Sequence, residues 1–456
     1  MHDVVVIGGG PGGYAAAIRA AQLGARVVVA EQAELGGVCV HRGCIPTKVW
    51  QKAAEILRTI RSAPQFGIDA AVKGIDFGAI IDQKNKACTK IRMGMEGLLA
   101  NNKIEVVKGR AVFQSPREIE AAGRRLQAKS FIIATGARLE VPELPNLKKA
   151  LISIEEIHEM RQVPASVLVC GAETIEVEVA ALLNSFGAKV TLAAAERRIL
   201  PQEDGDSSQR LEQALRESGI EILSRSTLRA VKPVSGVFAC ELDGPKPKTV
   251  QVERVFVCRR RPNSDGLGLE KAGVALQPEG SVRVDEMLLS TTPGIYAIGD
   301  VTGGCMQSHA ASAMGVCAAE NAMGRQVKFP AHLVPRGTWT WPEVASVGLT
   351  EEAAEKQGLD IETGYFPYSI NGMALARNET PGAVKIVTDV NYRTIYGVHI
   401  VGPHATELIG EAALAMQLEY TTAEFAAGIR MHPSFSEALV DAARDAEKWA
   451  LYLPKR

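Results

Sequence analysis

An α/β fold is predicted, with two doubly wound nucleotide-binding units, the second inserted into the first, followed by an α+β domain. Three observations predict it. A strand, glycine-rich turn, helix, strand pattern opens the chain at Asp3, and the same pattern returns at Ser166. A later apolar strand, ending in Gly299 and Asp300, brings the chain back to the first unit. The 456 residues are also too many for one hydrophobic core. The expected divisions are 1–145, 146–265, 266–330 and 331–456.

Composition excludes several classes of function. Apolar content of 46% and charged content of 23% are those of an ordinary soluble protein. A formal net charge of -1 gives no electrostatic reason to bind nucleic acid or an anionic membrane. The chain has no apolar run of about eighteen residues, the length a spanning helix needs. Strand-like Val4 to Ile7 begins almost at once with no basic segment ahead of it, so a cytoplasmic protein is expected. Cys88, Cys170, Cys240, Cys258, Cys305 and Cys317 are scattered like buried thiols, not like a secreted disulfide framework.

The first unit reads DVVVIGGGPGGYAAAIRAAQLGARVVVAE. Gly8, Gly10 and Gly13 form a G-x-G-x-x-G fingerprint of the Rossmann type: a tight turn, a bare backbone against pyrophosphate, and close helix packing. Glu31 ends the second strand, where a carboxylate can bind ribose hydroxyls.

Next comes GGVCVHRGCIPTK, Gly36 to Lys48, which carries Cys39 and Cys44. A disulfide needs Cα atoms roughly 4.4 to 6.8 Å apart, whereas five helical steps rise about 7.5 Å with the wrong azimuth. The segment is therefore expected to be a distorted turn. Pro46 suits the first helical position, with a helix from Thr47 to Ile60. Cys44 then lies at a helix N-terminus, where the dipole favours the thiolate. So small a loop makes a weak staple but a plausible exchanging bridge. No second cysteine pair or histidine cluster accompanies it, so no metal site is expected.

On these residues the stretch resembles the redox-active motif of the pyridine nucleotide-disulfide oxidoreductases, and within them the dihydrolipoamide dehydrogenase branch. The similarity runs from Asp3 to about Arg444. The resemblance implies FAD in the first unit, with Thr291 to Asp300 (TTPGIYAIGD) as the second flavin motif. In that motif Gly299 precedes Asp300, which would bind the ribitol, and His309 and Ala310 follow on a helix beneath the flavin. Ala134, Thr135 and Gly136 would supply the return turn, and Lys48 would pair with Glu178 beside the flavin. His432 and Glu437, in MHPSFSE, match the family's catalytic dyad, in which a carboxylate holds an imidazole base. The resemblance also implies a dimerisation domain, opening at WPEVASVGLTEEAAEKQG, and a homodimer in which each dyad reaches the partner's disulfide. Strands are expected over Gly382 to Val390 and Thr394 to Val401, and a helix over Thr406 to Glu419. The implied reaction passes two electrons between a dithiol, the Cys39–Cys44 disulfide, FAD and an acceptor, NAD in the family. The dithiol would be lipoyl-type, on a lipoyl-bearing protein.

The second unit, SVLVCGAETIEVEVAALLNSFGAKVTLAAAERRIL, departs from that pattern. Gly171 keeps the first glycine, but Glu173 and Glu176 take the second and third, and Ala194 stands where the ribose-binding acid belongs. At ~4 Å and an effective dielectric of ~20, a carboxylate facing phosphate costs about 4 kcal/mol. Arg197 and Arg198 fall slightly late to read a 2′-phosphate, although a rearranged loop could still bring them in, and Arg259 replaces a glycine before the Arg-Arg-Pro-Asn run. Weak or absent NAD(H) binding is therefore expected. That leaves, as the alternative, a non-nicotinamide redox partner such as a small redox protein or a quinone. A flavin-binding docking protein without turnover is a further alternative, opposed by the retained Cys39, Cys44, His432 and Glu437. Arg430 stands where the branch usually has a second histidine, which leaves open whether the dithiol is lipoamide or another, one bearing negative charge included. The tail, LYLPKR, carries no cysteine pair of the kind mercuric reductases have.

Overall fold

The computed structural model describes residues 1–454; Lys455 and Arg456 of the tail lie outside the described residues. The chain divides into two compact units. One comprises Met1–Pro142, Ser153–Gln162 and Cys258–Pro330; the other comprises Glu143–Ile152, Val163–Val257 and the chain from Ala331 onward.

The first unit is organised on a parallel sheet. Its strands lie in the order Glu105–Lys108, Val27–Glu31, His2–Ile7, Arg124–Ile133, with Ile295–Ala297 also parallel to Arg124–Ile133. An antiparallel hairpin, Ala111–Ser115 and Glu118–Ala121, extends one edge. Register pairs Val4 with Val27 and Ile7 with Ile133. Both faces of the central strands are covered, which is why Val4 to Ile7 and Val27 to Ala30 read as unbroken apolar runs rather than alternating ones. The helices Pro11–Gln22 and Ser308–Ala322 pack backbone to backbone: a Cβ on Gly315 would stand 2.4 Å from the Gly12 carbonyl oxygen. That approach lays the start of the second helix beside the first glycine turn. Two long helices, Cys44–Ser62 and Phe77–Asn101, complete the unit; Asp76 caps the latter by accepting from the Ala79 N–H at 3.1 Å.

The second unit holds a smaller parallel sheet, ordered Glu221–Leu223, Lys189–Ala193, Ser166–Cys170, Arg254–Val257, and a three-stranded antiparallel sheet over Thr227–Val252. Beyond it lies the five-stranded antiparallel sheet Arg336–Thr338, Glu343–Gly348, Ile395–Gly402, Ala383–Asp389, Ile361–Pro367. The helices Ala405–Gln417 and Glu437–Ala446 cover it over a core that includes Phe366, Tyr368, Ile400 and Leu439. The strands Ala383–Asp389 and Ile395–Gly402 and the helix Ala405–Gln417 fall within two residues of the expected strands and helix. Buried in the same unit, Lys385 binds Asp204 at 3.1 Å and Asp206 at 2.9 Å and pairs with Glu351.

Candidate active site

Glycine shapes the turn that presents the cysteine pair. Gly36 and Gly37 have φ of +105° and +57°, the left-handed region that glycine enters without penalty. A Cβ on Gly36 would stand 2.7 Å from Val40. Cys39 sits in the short helix Gly37–His41, while Cys44 is the first residue of Cys44–Ser62, with Gly43 as N-cap. Arg42 and Gly43 thus make the break that the cysteine spacing demands. Pro46 is third in the helix, not first as expected. It is tolerated there because first-turn N–H groups have no intrahelical partner to lose.

The two thiols are electrostatically unlike. Cys44 is pushed down to about 6, first by a hydrogen bond from Cys39, against the effect of burial, and further by Ser308 and the Lys48 charge. Cys39 is pushed up by the same hydrogen bond and by burial. Cys44 therefore holds the negative charge and Cys39 the proton. The Ser308 hydroxyl lies 3.2 Å from the Cys44 sulfur. Ser308 was not singled out from sequence: nothing near it marks a partner more than two hundred residues away.

A buried shelf backs this helix. The Thr47 hydroxyl donates to the Gly43 carbonyl at 2.7 Å and lies 3.0 Å from His158 Nε2. Because that hydroxyl proton is already used, the imidazole N–H is the donor to Thr47. Burial, then Lys84, pushes His158 down to about 4, so it is neutral. The Trp50 indole donates to the His158 carbonyl at 3.1 Å. Thr47 and His158 were likewise missed, since a helix threonine and a distant histidine carry no local signal. Lys48 donates to Gln51 at 2.8 Å. Glu178, in the other unit, accepts from the Trp339 N–H at 3.0 Å.

Beside Cys44's turn, the first glycine fingerprint forms a bare cradle. Gly8 has φ +106°, and a Cβ there would stand 2.3 Å from the Ala134 carbonyl oxygen; one on Gly13 would stand 1.9 Å from that of Gly8. At Gly10, the N-cap of Pro11–Gln22, the nearest atom to an added Cβ is 3.9 Å away, so the helix end is open. Glu31 accepts from the Gly9 and Ala33 N–H groups at 2.6 and 2.7 Å, which leaves lone pairs for hydroxyl donors. Thr135 donates to the Asn263 carbonyl at 2.7 Å, and the Asn263 backbone N–H donates to the Gly136 carbonyl at 2.9 Å, which secures the return turn. Asp300, after Gly299 with φ +69°, is pushed up by burial, the setting in which donors to a carboxylate count most. His309 is exposed and Ala310 buried on the adjacent helix.

At the far end of the chain, His432 Nδ1 lies 2.8 Å from Glu437, and the imidazole is 76% exposed while the carboxylate is 22% exposed. The Ser434 N–H, at 2.8 Å, holds the other carboxylate oxygen. The dyad thus presents Nε2 outward with its tautomer set. Arg430 pairs with Glu411 and lies over the Phe425 ring at 5.1 Å. Its charge is spent within the domain, so it gives no support to an anionic dithiol.

Two family models account for most of the chain. One, described as pyridine nucleotide-disulphide oxidoreductase, matches residues 2–315, and the dimerisation domain of the same family matches residues 334–443. The chain belongs to the pyridine nucleotide-disulphide oxidoreductase family. Similar relatives of this oxidoreductase include a dihydrolipoyl dehydrogenase of Thermus scotoductus, 38% identical over 100% of this chain and 99% of its own. One of Bacillus subtilis is 37% identical over 99% of each. Among solved structures, LpdA from Mycobacterium tuberculosis superposes with a TM-score of 0.89 at 26% identity over 97% of this chain and 99% of its own. The HOCl-induced flavoprotein disulfide reductase RclA from Escherichia coli gives 0.84 at 26% identity, over 96% and 98%.

Membership implies FAD and NAD(H), and the two nucleotide turns answer differently. The bare cradle of Gly8, Gly10 and Gly13, with Glu31 and Asp300, fits FAD: an open helix end for pyrophosphate and carboxylates for hydroxyls. The second turn does not fit a dinucleotide. Glu173 is exposed at the N-cap of Thr174–Ser185, and Glu176 lies buried over Gly171. Ala194 is fully buried, its N–H bonded to Leu223 and its carbonyl to Ser226. Arg198, a candidate reader of a 2′-phosphate, instead bonds Glu352 and the Glu203 carbonyl, both at 2.9 Å.

Proposed function

We propose that this oxidoreductase is an FAD-dependent, dihydrolipoyl dehydrogenase-like enzyme that oxidises a lipoyl-type dithiol carried on a protein, working as a homodimer. The observation that carries this reading is the divided cysteine pair: a stabilised sulfur at Cys44 beside the nucleotide cradle, and a protonated one at Cys39. The matched dimerisation domain supports the homodimer, and the names of the relatives support the lipoyl dithiol.

In the oxidised enzyme Cys39 and Cys44 are joined. His432 Nε2 removes a proton from one substrate thiol, and Glu437 stabilises the imidazolium through Nδ1. The thiolate attacks the Cys39 sulfur, the bond between the cysteines breaks, and Cys44 leaves as the better thiolate. The second substrate thiol then attacks the substrate sulfur of the mixed disulfide, forming the cyclic disulfide and releasing Cys39, which takes up the proton that the second thiol gives up. The substrate is oxidised by two electrons, and the cysteine pair is reduced by two. Bound FAD, which Gly8, Gly10, Gly13, Glu31 and Asp300 would hold, would supply a two-electron acceptor. Lys48 is proposed to set the charge beside that acceptor, and Ala134, Thr135, Gly136, Gly299, His309 and Ala310 to shape its seat. A pair that cycles between thiol and disulfide suits the reducing cytoplasm. Among the described residues no helix is long and apolar enough to cross a membrane.

The reading is tested by dihydrolipoamide-dependent reduction of ferricyanide. Activity is expected in the wild type, with its loss in Cys44→Ser. Equal rates in the two would overturn it.

A further inference from the structure

We propose that Glu176 closes the second nucleotide unit to pyridine dinucleotides, so that neither NADH nor NADPH reduces the flavin of this oxidoreductase. The inference rests on the flavin and disulfide chemistry proposed above.

The molecule contains its own control. Gly8 and Gly13 in the first unit stand in the same register as Gly171 and Glu176 in the second. In the first unit a Cβ at Gly13 would collide with the Gly8 carbonyl oxygen at 1.9 Å, so that turn closes only on a bare helix. In the second unit the equivalent position carries a whole carboxylate side chain. Gly171, with φ +141°, has the Glu176 Cγ, Cδ and Oε1 at 2.6, 2.8 and 3.0 Å from where its own Cβ would be. Glu176 is only 5% exposed. The space over the turn, at the helix N-terminus that a pyrophosphate would need, is filled by the chain itself.

Two further observations act in the same direction. Glu173 adds negative charge at the N-cap, where a bare backbone would approach the phosphates. The end of the next strand offers no ribose acceptor, because Ala194 is buried under the segment Leu223 to Ser226. The helix start is also tied down: the Thr174 and Thr338 hydroxyls lie 3.3 Å apart, and Glu178 holds the Trp339 N–H. Displacing Glu176 therefore means moving a buried side chain out of a fixed helix end.

The test is anaerobic stopped-flow on the FAD-loaded enzyme, with dihydrolipoamide, NADH and NADPH each used as sole reductant. Wild type is expected to be bleached by dihydrolipoamide and not by millimolar NADH or NADPH. Glu173→Gly/Glu176→Gly is expected to gain NADH-driven bleaching at least about tenfold over wild type, with its dihydrolipoamide rate unchanged, which also shows that it folds. Glu176→Gln keeps the shape and stays closed. Bleaching of the wild type by micromolar NADH overturns the proposal, as does a double variant no faster than wild type or a Glu176→Gln variant as open as the glycine one. Failure of the dihydrolipoamide arm alone overturns the proposed function and leaves the dinucleotide result to be judged on its own.

Discussion

Replacing Ser308 by alanine removes one hydroxyl and leaves the cysteine turn otherwise intact. That hydroxyl lies 3.2 Å from the Cys44 sulfur, and it is one of the groups that lower the Cys44 pKa. A hydrogen bond to a charged group contributes about 1.5 to 3 kcal/mol, and sulfur is a diffuse acceptor, so the lower end applies. Since 1.36 kcal/mol corresponds to a change of about one in pKa, Ser308→Ala should move Cys44 from about 6 to about 7. The sign follows from the depressed value: the thiolate persists above the folded pKa and is lost as pH falls through it, so the variant loses it at higher pH. The assay is the pH profile of iodoacetamide alkylation of the reduced protein, with the label mapped to Cys44 by mass spectrometry. Ser308→Thr, which keeps the hydroxyl, should restore the wild-type profile. An unchanged midpoint in Ser308→Ala would refute the argument that this hydroxyl stabilises the thiolate.

Other perturbations test separate parts of the account. His432→Gln should lower dihydrolipoamide oxidation by about 10² to 10⁴ while the flavin stays bound; a loss under tenfold would remove the base. Gly13→Ala places a Cβ 1.9 Å from the Gly8 oxygen and should abolish FAD retention on gel filtration, so a fully yellow variant would contradict the cradle. Lys385→Met leaves Asp204, which is fully buried, without its cation and should destabilise the second unit by about 3 to 5 kcal/mol in denaturant unfolding. Burial pushes Lys385 down, but hydrogen bonds to Glu351 and Asp206 and the charge of Asp204 carry it above its ordinary value. Its contribution is present below about 10.4 and lost as pH rises further, so the gap between wild type and variant should narrow in alkali.

What the sequence made legible was whatever is encoded locally. The glycine turns, the apolar strands and the cysteine spacing each dictate their own conformation, so the strands His2–Ile7 and Ala383–Asp389 could be placed within a residue or two. The substitutions at Glu173, Glu176 and Ala194 were equally visible, because the fingerprint assigns each position a physical task. Long-range partnerships were not. Ser308, His158 and Thr47 meet Cys44's helix only through folding, and each alone is an ordinary residue. Arg430 shows the same limit from the other side: its charge invited an anionic substrate until Glu411 and Phe425 were found to hold it. Nor could sequence show that the Glu176 side chain turns inward over Gly171 instead of outward to water.

Electrons are proposed to enter through the Cys39–Cys44 bond. An anaerobic titration with dihydrolipoamide, quenched with a thiol label and mapped by mass spectrometry, measures that entry most directly. The first equivalent is expected to convert Cys39 and Cys44, and no other cysteine, from an unlabelled pair into two labelled thiols. Flavin reduction at the same rate in Cys39→Ser/Cys44→Ser, with both cysteines of the wild type labelled before any dithiol is added, would contradict it.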